Sequence, residues 1–129
     1  TPCDVYISDM KVAAANKHDF FYPDVVVTCG EADRQERDQY ILHEPLLIIE
    51  VLSPSTANHD LWKKFGYYQD IPSMREIAFI DLDIRRTTVY LKGADGLWVL
   101  HRFDEGMVVY FTSVDLTISA ETLFAKIRE

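Results

Sequence analysis

No apolar run in this 129-residue chain approaches the roughly 20 residues that a membrane span needs, and no basic-then-apolar leader precedes the first strand. The chain begins at Thr1 rather than Met and so reads as a trimmed or partial sequence. Cysteine is scarce. Cys3 and Cys29 show no CxxC spacing and no companion cluster, which favours two free thiols in a reducing cytoplasm over a disulfide framework. His18, His43, His59 and His101 form neither an HxH nor an HExxH pattern, which argues against a zinc site. Positive charge is also short, with 13 Lys and Arg against 21 Asp and Glu for a net charge of −8. A broad cationic face for nucleic acid is therefore not expected. Lys63, Lys64, Arg85, Arg86, Lys92 and Arg102 can still form a local patch, and a bound divalent metal would change the local field.

The hydrophobic share of 48% and the charged share of 26% are ordinary for a globular protein. The length suits one domain, residues 1–129, with a real core. Val5 to Val12 reads as a modest strand, and Phe20 to Thr28 (FFYPDVVVT) as a stronger one rich in β-branched and aromatic residues. Gly30 to Glu44, of mixed charge, reads as a loop or short helix. Leu46 to Leu52, punctuated by Pro45 before it and Ser53-Pro54-Ser55 after it, follows as a strand, and Asn58 to Gln69 as a helix whose Leu61, Phe65 and Tyr68 make an apolar stripe. Ile77 to Leu82 and Thr87 to Lys92 form a hairpin across Asp83–Arg86. Leu97 to Phe103 and Met107 to Phe111 are further strands, and Ala120 to Arg128 is a short terminal helix. Strands dominate, so the expected class is mixed α/β or α+β.

One strand carries an intruder. In Leu46–Thr56 (LLIIEVLSPST) apolar residues occupy both alternation faces, as in a central strand covered on both sides, yet Glu50 sits among them. A carboxylate there loses hydration that only a donor, a cation or protonation can offset. It is either a structural acid reaching a donor or a metal ligand. Asp24 is a second acid at the mouth of the preceding strong strand, and consecutive strands commonly pair. If these two do, the carboxylates converge, and a divalent cation relieves their repulsion. Mg²⁺ suits such a site because it keeps several waters and needs few carboxylates. Phosphoryl chemistry then calls for a nearby cation. The following helix offers Asp60, Lys64 and Tyr68 on neighbouring turns. At about 100° per residue, Lys64 borders the inward stripe at roughly 67° from its centre, whereas Lys63 lies about 167° away.

With "YPDVVV", "EPLLIIEVLSPST", a helix bearing D, K and Y at four-residue spacing, and "IPSMREIAFID", the sequence resembles the Uma-type family of restriction-endonuclease-like proteins. That family belongs to the PD-(D/E)xK nuclease superfamily, and the resemblance runs from about Val5 to Ile127. It implies a restriction-endonuclease-like mixed sheet with flanking helices and a Mg²⁺-dependent endonuclease acting on DNA, for which Mn²⁺ would substitute. It implies Asp24 and Glu50 as metal ligands, joined by the Val51 carbonyl, with Lys64 as the catalytic cation and Asp60 and Tyr68 as accessory residues. The superfamily lysine normally stands two residues after the second acid; Leu52 occupies that position here, so the helix must supply it. The superfamily core also opens with a helix, whereas this chain opens at a strand, which implies a missing N-terminal helical segment and reduced activity. A homodimer is expected from the architecture.

Other candidates read more plainly. Asp81 and Asp83 are turn acids. Ser53 and Ser55 lack a histidine partner in sequence, and Ser55 or Asn58 suits a helix cap. His59 adjoins Asp60. Trp62 and Trp98 read as core or interface rather than as base-stacking platforms. Two rival functions stand beside the endonuclease: a catalytically weak nuclease-fold binding or assembly module, and an enzyme acting on RNA or a small phosphoester.

Overall fold

The computed structural model describes residues 3–7, 10–35, 41–52, 58–119 and 122, without the side chains of 34, 35 and 58–60. In chain order the elements are β1 (Asp4–Ile7), β2 (Lys11–Ala13), β3 (Phe20–Phe21), β4 (Val25–Thr28), α1 (Glu31–Gln35), β5 (Ile41–Leu42) and β6 (Pro45–Leu52). They continue with α2 (Asn58–Gln69), β7 (Glu76–Asp81), β8 (Arg86–Lys92), β9 (Trp98–Phe103), β10 (Val108–Phe111), a 3-10 turn (Thr112–Val114) and β11 (Leu116–Ser119). Six strands form the main sheet in the order β1-β4-β6-β7-β8-β9. Its neighbours are antiparallel except β6 and β7, which run parallel. A parallel pair needs a crossover, and α2 supplies it. This is the mixed sheet with flanking helices that the sequence implied.

The main sheet is covered on both faces. On one, Val26, Ile48, Ile77 and Phe79 pack with Phe65 and Tyr68 of α2 and with Val12 and Leu42 of a small sheet ordered β3-β2-β5. On the other, Val27, Leu47, Ile49, Ala78 and Val89 pack with Val109 and Phe111 of the β10–β11 hairpin. This double coverage explains why β6 is apolar on both alternation faces. Helix α2 buries its Leu61–Phe65–Tyr68 stripe as the spacing required, with Tyr68 fully buried.

Three expectations need correction. Val5–Val12 is two strands in different sheets, β1 and β2. Phe20–Thr28 likewise splits into β3 and β4, because Pro23 has no N–H to continue a ladder. Strand β10, expected as a strand, pairs with β11 in a hairpin separate from the main sheet. Strand β11 was not among the expected elements, although its Leu116-Thr117-Ile118-Ser119 alternates apolar and polar residues; it is exposed except at half-buried Ile118. Finally, Cys3 and Cys29 are not free thiols but form a disulfide across 26 residues. The Asp4–Thr28 pairing of β1 and β4 sets them opposite one another, and that register is invisible in the spacing. The two cysteines therefore supply no argument for a reducing compartment. The expected helix Ala120–Arg128 lies outside the described residues but for Thr122. Among the described residues no helix is long and apolar enough to cross a membrane.

Candidate metal and phosphoester site

The pairing of Val25 with Ile49 brings Asp24, one residue before β4, beside Glu50 of β6. The two acids meet because the strands do, and Pro23 ends the ladder just before Asp24. The freed carboxylate reaches across, and Asp24 Oδ2 accepts the Val51 N–H at 2.7 Å. Asp24 is half-buried; Glu50 is only 6% exposed.

Helix α2 brings two groups to Glu50. The Tyr68 hydroxyl donates to Glu50 Oε2 at 2.6 Å, and the Lys64 ammonium lies 3.7 Å from the same oxygen. Burial pushes the Glu50 carboxyl above the ordinary carboxylate range. Tyr68, Lys64 and the Asp24 backbone N–H pull it back, while the Asp24 carboxylate pushes it further up. Burial, followed by the charge and hydrogen bond of Glu50, raises the Tyr68 hydroxyl far above its usual value, so it remains a donor. The Phe21 ring meets the Tyr68 ring edge-on at 5.5 Å and helps hold it. The Lys64 side chain is 39% exposed, so its ammonium stands between Glu50 and solvent, while Lys63 is exposed.

Asp24, Glu50, Lys64 and Tyr68 are thus brought together. The side chains of Asp60 and His59 lie outside the described residues, as do Ser53 and Ser55. Leu52, where the superfamily has its lysine, lines an aromatic pocket with Trp62 and Phe65, so that position serves packing. Asp81 Oδ1 accepts the N–H groups of Asp83 and Ile84, the turn role expected of it.

Among the described residues no cluster of three or more His, Cys, Asp or Glu could hold a metal ion. The two carboxylates, Asp24 and Glu50, are too few for a dedicated protein cage. They fit Mg²⁺, which keeps water and takes phosphate oxygens as its remaining ligands.

Two buried acids escaped the sequence reading. Asp33 accepts the N–H groups of His43 and Glu44 at 2.8 Å each, and the Thr28 hydroxyl at 2.7 Å, tying α1 to the approach of β6. Glu76 accepts the N–H groups of Thr112 and Ser113 and the Ser113 hydroxyl, anchoring the 3-10 turn. Asp33 lay in a polar stretch that gave no signal. Glu76, directly before the apolar Ile77–Ile80, carried the same mark as Glu50.

The chain matches the Uma2 family model, described as "Putative restriction endonuclease", over residues 1–120. It is 38% identical over 97 residues to uncharacterized protein sll1609 of Synechocystis sp., covering 75% of this chain and 55% of that protein. It is 30% identical over 122 residues to uncharacterized protein slr1290 of the same organism, covering 95% of this chain and 63% of that protein. The chain therefore spans between 55% and 63% of the length of these curated relatives. Its fold matches the crystal structure of "a putative nuclease belonging to DUF820" from Anabaena variabilis with a TM-score of 0.73. That match has 21% identity and covers 95% of this chain and 68% of the other.

Proposed function

We propose, for a chain that belongs to the Uma2 family of restriction-endonuclease-like proteins, that Asp24, Glu50 and Lys64 form the hydrolytic centre of a Mg²⁺-dependent endonuclease acting on DNA phosphodiesters. The observation that carries this reading is the approach of Lys64 from α2 to within 3.7 Å of Glu50 Oε2. An acid pair with a solvent-accessible cation beside it is the charge arrangement that phosphoryl transfer requires.

Asp24, Glu50 and the Val51 carbonyl would hold the ion, with Mn²⁺ as a substitute. When bound, the ion polarises the phosphoryl oxygen and lowers the pKa of a water. The Tyr68 hydroxyl fixes the rotamer of the Glu50 carboxylate and, staying protonated, adds no charge of its own. Lys64 exchanges its contact with Glu50 for the charge developing on the phosphoryl group, a movement its exposure permits. The same cluster would serve an RNA or small-phosphoester hydrolase. DNA is the substrate the family description favours.

Calorimetric titration with Mn²⁺ tests the assignment. One site is expected, abolished or sharply weakened by Asp24→Asn and by Glu50→Gln, together with metal-dependent plasmid cleavage that both variants lose. Unchanged metal binding in both variants would leave a nuclease-fold binding module as the better description.

A further inference from the structure

The strand register extends the site sideways. Glu50 pairs with Phe79, Phe79 with Thr88, and Thr88 with Arg102, so these four residues form one row across the α2-facing side of the sheet. At about 4.8 Å between strands, Thr88 lies roughly 10 Å and Arg102 roughly 14 Å from Glu50 along the row. Over its middle opens a cavity of about 130 Å³ lined by aromatic residues, among them Trp62, Phe65 and Tyr90, with Leu52 and Thr88 beside them. The Phe65 ring stands 4.4 Å from Tyr90 and 6.0 Å from Trp62. Trp62 itself is 62% exposed and leaves much of its indole uncovered. It is thus a rim residue of this pocket and not a core residue.

Charge completes the picture. In a chain of net charge −8, no carboxylate among the described residues lines this pocket. Lys64 stands beside Glu50 at one end of the row, and Arg102, with its side chain 55% exposed, ends it on the other side in an ion pair with Asp104. Ring faces for a base, flanked by cations for its phosphates, are the elements that bind single strands. A base within a duplex has both faces stacked and cannot present one to Trp62; an unpaired base can.

We propose that this pocket receives one unpaired base next to the phosphodiester being cut, so that the site acts on single-stranded or locally unpaired DNA rather than intact duplex. This inference rests on the nuclease reading above. The Trp62 indole stacks on the base, Thr88 and Tyr90 offer hydroxyls to its edge, and Lys64 and Arg102 take the phosphates on either side.

The test measures binding without cleavage, by fluorescence anisotropy in EDTA, using labelled oligothymidylate, its duplex with oligoadenylate, and oligouridylate. Wild-type chain should bind the single DNA strand more tightly than the duplex. Trp62→Ala should weaken that binding by about 5- to 150-fold, the scale of one lost base-stacking contact. Trp62→Phe should restore most of it, and neither should change duplex affinity by more than about 2-fold. In a Trp98→Phe background, the single strand should quench Trp62 emission. Equal binding by Trp62→Ala and wild type, or tighter binding of duplex, would overturn the inference. Preferential binding of oligouridylate would overturn its assignment to DNA. If the pocket fails while Mn²⁺ still binds through Asp24 and Glu50, the nuclease reading survives without it. If the Mn²⁺ site fails while Trp62-dependent binding persists, the nuclease reading falls and the pocket stands.

Discussion

Glu50 and Glu76 both border apolar runs and both are buried, yet their carboxylates meet opposite surroundings. Glu76 faces two backbone N–H groups and a hydroxyl, all donors, at 2.6 to 3.1 Å. Glu76→Gln turns an amide toward those donors, so it should cost about 2–3 kcal/mol in urea unfolding, the range for lost hydrogen bonds to a charged group. Glu50 is desolvated beside a second acid, and its carboxyl is raised. A raised folded-state value means the folded protein holds its proton more tightly than the unfolded chain. That stability is present below the unfolded value near pH 4.3 and is lost as pH rises through the folded one. Metal-free Glu50→Gln should therefore melt at or above wild type at neutral pH, with an advantage that shrinks toward acid. Thermal melts across pH in EDTA check this, and a large loss at neutral pH would make Glu50 a structural ion-pair partner. The adjacent lysines separate in the same way. Lys64→Ala should lower single-turnover cleavage by about 10²-fold or more, the cost of one donor that stabilises the transition state. Lys63→Ala should produce only a weak effect that salt masks.

At the scale of elements, the break between β3 and β4 does the most to build the site. Proline removes a ladder donor at position 23, the chain passes from the small sheet to the main one, and Asp24 turns to the Val51 N–H. Pro23→Ala should lower stability by about 0.5–1 kcal/mol through the freer unfolded chain. It should also weaken Mn²⁺ binding severalfold by loosening Asp24. Calorimetry on the variant measures both, and full metal affinity would show that β4 alone positions the acid. Helix α2 was legible from its spacing because a single stripe of Leu61, Phe65 and Tyr68 packs on one sheet face. Strands β1, β2 and β3 were not, because alternation marks extended chain and does not say which neighbour each segment joins.

For the whole molecule, the Cys3–Cys29 disulfide fastens edge strand β1 to β4. Closing a loop of 26 residues removes unfolded-state entropy. Reduction, or Cys3→Ser with Cys29→Ser, should thus cost about 3 kcal/mol, on the order of 10 °C in Tm. Melting with and without reductant checks it. The candidate residues that the structure brings together, Asp24, Glu50 and Lys64, were readable in one dimension. An acid inside a doubly apolar strand, an acid at the mouth of the strand before it, and a lysine beside a helical stripe each violate or border a local pattern, and local patterns are properties of neighbouring residues. The disulfide, the donors around Asp33 and Glu76, the change of sheet at Pro23, and the row from Glu50 through Phe79 and Thr88 to Arg102 were not readable. Each joins residues distant along the chain through strand register, and register is set by how whole faces bury against one another rather than by any segment alone.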